Sequence, residues 1–208
     1  MKKLGTAIIM AGGKSSRMGF DKQLIKIEDR YLIDIIIENL SKSFEEIIVV
    51  SNVKGIHNYR NVAVVEDKIK DLGPLGGLHA GLGKASSLYS YVIACDMPYI
   101  NNQYINYMKK FLKQCDKADA LITRFGDWIE PFNCFYSKNI VNNIEDHIKS
   151  NQKSIYSLMK KLNVAYIEER AARCFSPDWR MFENLNTKED LRRCHIELKR
   201  LETKYAGI

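Results

Sequence analysis

The first half of the chain alternates short apolar runs with segments of helical periodicity. Runs rich in Ile and Val predict four buried strands, namely TAIIMAG (6–12), EIIVVS (46–51), VAVVED (62–67) and SYVIACD (90–96). Apolar residues at helical spacing predict three helices, over 31–43, 78–87 and 100–115. Because strands that are apolar on both faces need a covering layer on each side, this pattern predicts a doubly wound, mostly parallel α/β sheet of Rossmann-like type.

The second half of the chain has a more mixed pattern. Four further strands are predicted, over 118–125, 131–137, 163–169 and 181–186, and they include an antiparallel edge element. Three further helices are predicted, over 138–150, 153–162 and 187–205, the last with Thr187 as its N-cap. Since no repeat, Pro-rich linker or low-complexity segment separates the halves, we expect residues 1–208 to form a single domain.

Composition is typical of a globular protein, with 46% hydrophobic and 27% charged residues. No apolar run approaches the roughly 20 residues that a membrane span requires. The apolar run near the N-terminus is only about seven residues long, which predicts a first strand rather than a signal peptide, and hence a cytoplasmic location. The five cysteines and four histidines show neither CxxC nor HxxxH spacing, so we expect reduced thiols and no transition-metal site.

The formal net charge of +7 predicts anionic ligands. Basic residues are spread along the whole chain and interleaved with acids, as in KKLNVAYIEERAAR, rather than concentrated in one basic stretch. A small phosphorylated substrate accounts for this balance, and neither nucleic acid nor a membrane surface is expected as a partner.

The segment MAGGKSSRMGFDK (10–22) is a candidate anion-binding loop after the first strand. It matches neither the Walker pattern GxxxxGK[ST] nor the dinucleotide pattern GxGxxG. Gly12 and Gly13 nevertheless allow the backbone to approach a ligand closely. Hydroxyl and cationic groups suited to phosphate oxygens follow, from Ser15, Ser16, Arg17 and Lys22. The alternative is a surface loop with incidental basic residues.

Further candidate residues follow the later strands. Asn52, Asp67 and Asp96 each stand at a strand end, where ligands bind in open parallel sheets. The turn GPLGGL (73–78) opens a helix without side chains at 76 and 77, so a ligand could lie against the helix start. Asp96 would suit Mg²⁺, which favours one or two carboxylates plus waters and phosphate oxygens. Turn formation and helix capping are the structural alternatives for such strand-end residues.

Four motifs, MAGGKSSRMGFDKQL, VVED, GPLGGL and ACDMPYI, resemble in order and spacing the nucleotidyltransferases that attach a nucleotide to the molybdenum cofactor. The resemblance is greatest to the molybdenum cofactor guanylyltransferase family. It is strong over the first hundred residues, and EPFNCFYS and ENLNTKEDL extend it nearly to the end of the chain. It implies the family's nucleotidyltransferase fold, with residues 1–115 as the nucleotide- and Mg²⁺-binding half and 116–208 as the acceptor-binding half with the C-terminal helix.

The resemblance also implies roles for individual residues. The implied nucleotide-binding positions are Met10, Ala11, Gly12, Gly13, Ser15, Lys22, Asn52, Asp67 and Asp96. Arg17, Lys22 and Asp96 would be catalytic, with Arg17 facing the triphosphate and Asp96 ligating Mg²⁺. Met10 departs from the family pattern, which usually has Leu there, in a volume-conserving way. Asn184 or Asn186 is a weaker candidate for a second metal-side ligand.

The activity implied by the resemblance is transfer of GMP from MgGTP to the terminal phosphate of molybdopterin (the molybdenum cofactor), with release of pyrophosphate. GTP and molybdopterin are then the expected substrates, Mg²⁺ the cofactor, and transient contact with other cofactor-biosynthesis or acceptor proteins is expected. Two alternatives stay open. The first is a related nucleotidyltransferase that uses CTP or another phosphorylated acceptor, and the second is a catalytically silent nucleotide-binding module.

Overall fold

The computed structural model describes residues 2–12, 22–52, 62–67, 72–115 and 117–205. Within these ranges the chain forms nine strands and seven α-helices. The strands are β1 (Thr6–Met10), β2 (Lys26–Ile27), β3 (Arg30–Tyr31), β4 (Glu46–Val50), β5 (Val62–Val65), β6 (Tyr89–Ala94), β7 (Ala120–Phe125), β8 (Trp128–Ser137) and β9 (Val164–Glu168). The helices are α1 (Leu32–Ser41), α2 (Pro74–Lys84), α3 (Asn102–Gln114), α4 (Val141–Lys149), α5 (Ile155–Met159), α6 (Glu169–Arg173) and α7 (Lys188–Tyr205).

Seven strands form one mixed sheet in the order β5-β4-β1-β6-β8-β7-β9. The neighbours β5/β4, β4/β1, β1/β6 and β7/β9 pair in parallel, whereas β8 is antiparallel to both β6 and β7. A separate antiparallel hairpin joins β2 to β3. The predicted doubly wound, mostly parallel α/β fold is confirmed, and β8 lies inside the sheet while β9 forms one of its edges.

Apolar clusters on the two faces of the sheet form the core. One cluster joins alternate residues of β1, β4 and β6 to helices α1 and α3, and it includes Ile9, Ile36 and Met108. The other joins the remaining residues of the same strands to α2, α4 and α5, and it includes Ile8 and Leu78. Because successive strand residues point to opposite faces, strands that are apolar throughout require both layers.

Helix α2 packs very closely against β1 because its glycines lack side chains. A Cβ placed on Gly77 would lie 2.5 Å from Cε of Met10, and one on Gly81 would lie 2.7 Å from Cγ2 of Ile8. Gly73, just before the helix, has φ +56°, a left-handed conformation that glycine adopts without strain. The GPLGG turn therefore brings the start of α2 directly over the end of β1.

The predicted strand over 181–186 is wrong. Trp179 has φ +65° and turns the chain into a short 3₁₀ helix, Arg180–Phe182, whose residues Met181 and Phe182 are buried. The chain then runs to Leu185, whose N–H donates to the carbonyl of Asp96 at 2.9 Å. The apolar residues of MFENLN suggested an edge strand, but these side chains fill the core from an irregular segment.

Helix α7 begins as predicted from the sequence. The Thr187 hydroxyl accepts from the Asp190 N–H at 3.1 Å, and the Asp190 carboxylate accepts from the Thr187 N–H at 2.9 Å. This reciprocal pair satisfies N–H groups that the first helical turn leaves without partners, and Thr187 is confirmed as N-cap. Helix α6 was not predicted, and it is one short turn beside β9.

The buried Asn133 joins the antiparallel strand β8 to two other parts of the fold. Its φ of +57° places it in the left-handed region that Asn tolerates better than most residues. Its Oδ1 accepts from the Tyr91 hydroxyl at 2.6 Å, and its Nδ2 donates to the Met181 carbonyl at 2.8 Å. Asn133 thus fixes the segment that follows Met181 against the sheet.

Replacing Asn133 with alanine is expected to destabilise the fold by roughly 2–4 kcal/mol, because two buried polar groups lose their partner. Urea unfolding measures the change. The matched control is Asn139→Ala, at an exposed position, which should change the free energy of unfolding by less than about 0.5 kcal/mol. A loss below about 1 kcal/mol at Asn133 would show that Tyr91 and Met181 find other partners.

All five cysteines lie in the described ranges, and each carries a thiol with no disulfide. In the same ranges, no helix combines the length and apolarity needed to cross a membrane.

Candidate active site

The site lies at the carboxyl edge of the parallel strands, where main-chain bonds continue beyond the strand ends. Ala11 N–H donates to the Val50 carbonyl at 2.9 Å, and Cys95 N–H donates to the Met10 carbonyl at 3.0 Å. These bonds hold the residues after β1 and β6 side by side. A rigid sheet edge therefore positions Ala11, Gly12 and Asp96 relative to one another.

A cavity of about 180 Å³ opens at this edge. It is lined by Met10, Ala11, Gly12, Lys22, Pro74, Ala94, Cys95, Asp96, Phe132 and Asn184. A Cβ on Gly12 would have no described atom within 4 Å, so the described residues leave room for a ligand beside the Gly12 backbone. Five predicted site residues, Met10, Ala11, Gly12, Lys22 and Asp96, are brought together around one cavity.

Asp96 and Lys22 form an ion pair at the cavity. The Asp96 side chain is 4% exposed, and its Oδ2 accepts from the Lys22 ammonium and, at 3.5 Å, from Nδ2 of Asn184. Within the described part of the lining, Asp96 is the only carboxylate and Lys22 the only cation. Burying an ionised carboxylate costs desolvation free energy unless a cation lies beside it, and here Lys22 supplies the positive charge.

Asn184 and Asn186 reach the site from the segment that precedes α7. Asn186 Oδ1 accepts from the Lys22 ammonium at 3.4 Å, and Asn186 Nδ2 donates to the Asn184 carbonyl at 3.3 Å. Asp190 secures this segment through a hydrogen bond from the Asn186 N–H at 3.0 Å. Burial would raise the pKa of Asp190, but these bonds, with Thr187 and the nearby Arg193, lower it below its ordinary value.

Asn52 and Asp67 form a second group at the same edge, beside the cavity rather than in its lining. Asn52 Oδ1 accepts from the Asp67 N–H at 3.0 Å. The Asp67 carboxylate lies against the first turn of α2, since a Cβ on Gly76 would be 2.5 Å from both of its oxygens. The positive end of the helix dipole favours a carboxylate there. Because Gly76 has no side chain, the Asp67 carboxylate has room to occupy this position.

Three predicted site residues, Gly13, Ser15 and Arg17, lie outside the described residues, as does Ser16. Their predicted contacts with the triphosphate remain predictions.

Other lining residues were not predicted as site residues. Ala94 and Cys95 immediately precede Asp96, and Pro74 stands in the GPLGG turn, so their neighbouring motifs could have indicated them. Phe132 had no such signal, because it lies within β8 and reaches the cavity only through the antiparallel pairing of β8 with β6.

The side chains at and beside Asp96 are of the kinds that bind a magnesium ion. One buried carboxylate is available, and the amide groups of Asn184 and Asn186 lie beside it. Mg²⁺ retains several waters and is typically bound through one or two carboxylates together with substrate phosphates. Among the described residues no cluster of three or more His, Cys, Asp or Glu is present, so a cage made wholly of protein ligands is absent from these ranges.

Residues 7–166 match the family model described as the MobA-like NTP transferase domain. This chain belongs to the MobA-like NTP transferase family. It is therefore a nucleotidyltransferase, and nucleotidyltransferases of this family generally use Mg²⁺.

Two curated members of the family are 52% identical to the chain. A probable molybdenum cofactor guanylyltransferase from Peptoclostridium acidaminophilum aligns over 195 residues, which cover 92% of this chain and 88% of that protein. A molybdenum cofactor guanylyltransferase from Syntrophotalea carbinolica aligns over 188 residues, which cover 90% of this chain and 89% of that protein. The predicted resemblance to this family is confirmed.

The fold is also found in a solved structure. Molybdopterin-guanine dinucleotide biosynthesis protein A from Archaeoglobus fulgidus superposes with a TM-score of 0.80 at 24% identity, covering 94% of this chain and 99% of that one. The similarity shows that the two chains share this fold.

Proposed function

We propose that the chain transfers GMP from MgGTP to the terminal phosphate of molybdopterin (the molybdenum cofactor), forming the guanine dinucleotide and releasing pyrophosphate. The observation that carries the proposal is the Lys22–Asp96 pair, held in a cavity that the Gly12 backbone also lines. A cation and a buried carboxylate at this position suit a polyphosphate and its metal ion. The names of the two relatives at 52% identity support guanine and the molybdenum cofactor as substrates.

The reaction needs no protein nucleophile. An oxygen of the acceptor phosphate attacks the α-phosphorus of GTP, and the bond from that phosphorus to the α,β-bridging oxygen breaks. Pyrophosphate leaves with the electron pair of that bond. An ionised phosphate is already a nucleophile, so the protein's task is to align the two phosphates and stabilise the charge. Lys22, and Arg17 from the loop after Gly13, would supply positive charge to the phosphate oxygens.

Magnesium would neutralise charge on the phosphates of GTP. Asp96 would hold it, with Asn184 or Asn186 as the second metal-side group. In the structure Lys22 contacts both Asp96 and Asn186, so its ammonium is already beside the proposed phosphate position.

The nucleotide itself would lie along the strand ends. Met10, Ala11 and Gly12 would line its pocket, and Gly13, Ser15 and Arg17 would face the triphosphate. Asn52 and Asp67, joined to each other over the start of α2, would contact the nucleoside from the β4–β5 side. We assign residues 1–115 to the nucleotide and residues 116–208 to the acceptor. The five scattered cysteines, with no CxxC pair, suit a reducing compartment such as the cytoplasm.

A pyrophosphate-release assay tests the function. The enzyme is incubated with each nucleoside triphosphate and Mg²⁺, with and without molybdopterin, and the product is identified by mass. We expect release only with GTP and molybdopterin together. Release with CTP would instead support the cytidylyl alternative, and GTP binding without turnover would support a silent nucleotide-binding module. No specific observation favours either alternative.

A further inference from the structure

A second, larger cavity lies at the turn between β7 and β8. Its volume is about 480 Å³, within the range of pockets that hold small organic molecules. Its main lining side chains are Arg124, Asp127, Ile129, Tyr156, Lys160 and Tyr166. They come from β7, the β7–β8 turn, β8, α5 with the residue that follows it, and β9, all in the second half of the chain. None of these residues belongs to the site described above.

The second cavity opens at the same edge of the sheet as Asp96. Strands β6 and β7 both pair antiparallel with β8, so their carboxyl ends, at Ala94 and Phe125, lie at one edge. Strand β8 borders both cavities, with Phe132 lining the first and Ile129 the second. The two positions are three residues apart along β8, so at most about 10 Å of chain separates them. A ligand whose phosphate lies near Lys22 could therefore extend its other end along β8 into the second cavity.

Two cations in this cavity lie over aromatic rings. Arg124 is 4.9 Å from the ring centroid of Tyr166, and Lys160 is 4.8 Å from that of Tyr156. Glu168 accepts from Nε of Arg124 at 3.2 Å and also bonds Nη2, which orients the guanidinium. Tyr156 is 46% exposed, so much of its surface remains available to a ligand. Aromatic surface beside positive charge suits an anionic molecule that carries a flat ring system.

Asp127 adds a carboxylate to the same cavity. It stands in the two-residue turn that joins Phe125 to Trp128, after Gly126 with φ +56°. Among the described residues, none donates a hydrogen bond to this side chain. A carboxylate can accept two parallel N–H bonds, which is the pattern that an aminopyrimidinone edge presents. The Asp127 carboxylate would repel a phosphate group, whereas it could accept hydrogen bonds from a fused ring with adjacent N–H donors.

We propose that this cavity binds the pterin ring of the acceptor, with its aminopyrimidinone edge on Asp127 and its ring plane against Tyr156 or Tyr166. Glu168 already pairs with Arg124, so it is Lys160, for which the described residues show no ion pair, that favours an anionic acceptor over a neutral one. The inference rests on the proposed function, because it names where the acceptor of that reaction is held. The terminal phosphate then points along β8 toward Lys22 and the α-phosphate of GTP.

Binding of a pterin probe tests the subsite without requiring turnover. Fluorescence titration of 6-hydroxymethylpterin phosphate measures its dissociation constant for the wild-type protein and for Asp127→Asn. We expect the variant to bind roughly 10- to 100-fold more weakly, as for loss of a charged hydrogen-bonding partner. Tyr156→Leu, which keeps apolar bulk without the ring, should also weaken binding. Asp146→Asn, on the exposed surface of α4, is the matched control and should bind as wild type.

A second readout separates a binding role from a structural one. In the transfer assay, Asp127→Asn should raise the KM for molybdopterin by a similar factor and leave the KM for GTP unchanged. Equal probe affinity in wild type and both pocket variants would overturn the subsite, and so would lack of probe binding by the wild type. Failure of the proposed function has a different signature, namely absence of GMP transfer from GTP by the wild type even where the probe binds at this cavity.

Discussion

Replacing Asp96 with asparagine is expected to lower kcat/KM for Mg²⁺-dependent GMP transfer by at least about 10³-fold. The described lining of the cavity at Asp96 has no other carboxylate, so the variant loses the negative charge that would hold the metal. Asparagine keeps the size of this 4%-exposed side chain, and the fold should persist. Pyrophosphate release at several Mg²⁺ concentrations measures the effect, and thermal unfolding checks the structure.

The control for Asp96 is Asp146→Asn, which removes one carboxylate from an exposed position on α4 and should retain wild-type turnover. Wild-type activity in Asp96→Asn would contradict the metal assignment. A large fall in melting temperature would instead show that the pair with Lys22 is mainly structural.

Replacing Lys22 with alanine is expected to lower kcat/KM by roughly 10²- to 10³-fold, as for removal of one preorganised charge from a transition state. The ammonium lies between Asp96 and Asn186, where the phosphates are proposed to bind. Lys22→Arg keeps the charge but changes its shape, so it should recover part of the activity. Steady-state kinetics with GTP and molybdopterin provide the measurement.

Lys26→Ala is the matched control for Lys22. Lys26 is nearby in sequence, but its ammonium lies 4.7 Å from the Tyr31 ring centroid and it does not line the cavity. We expect this control to keep normal turnover. An unchanged kcat/KM in Lys22→Ala would remove Lys22 from the mechanism, whereas a raised KM for GTP at constant kcat would limit its role to binding.

Much of the fold was predictable because the strands of the first half are apolar on both faces. In β1, β4 and β6 every residue is buried except the half-buried Glu46. That burial follows from helices on both sides of a parallel sheet, and sequence alone indicates it. Local hydrogen-bonding chemistry likewise predicted the N-cap of α7 at Thr187.

The segment 181–186 shows where local pattern misleads. Its sequence, MFENLN, was predicted to form a strand, yet Met181 and Phe182 enter the core from a 3₁₀ turn that follows a left-handed Trp179. Asn133 helps to fix that turn from β8, 48 residues earlier in the chain. A contact between such distant residues leaves no periodic signal in either segment.

The sequence by itself determined the α/β class, the family, and the placement of Asp96, Asn52 and Asp67 at strand ends. These properties depend on local periodicity and on motifs of fixed spacing. Only the tertiary structure decided that Lys22 pairs with Asp96, that Asn184 and Phe132 join them, and that a second cavity opens at the same edge. The physical reason is that these neighbours are set by strand order and by the antiparallel course of β8, which bring together residues far apart in the chain.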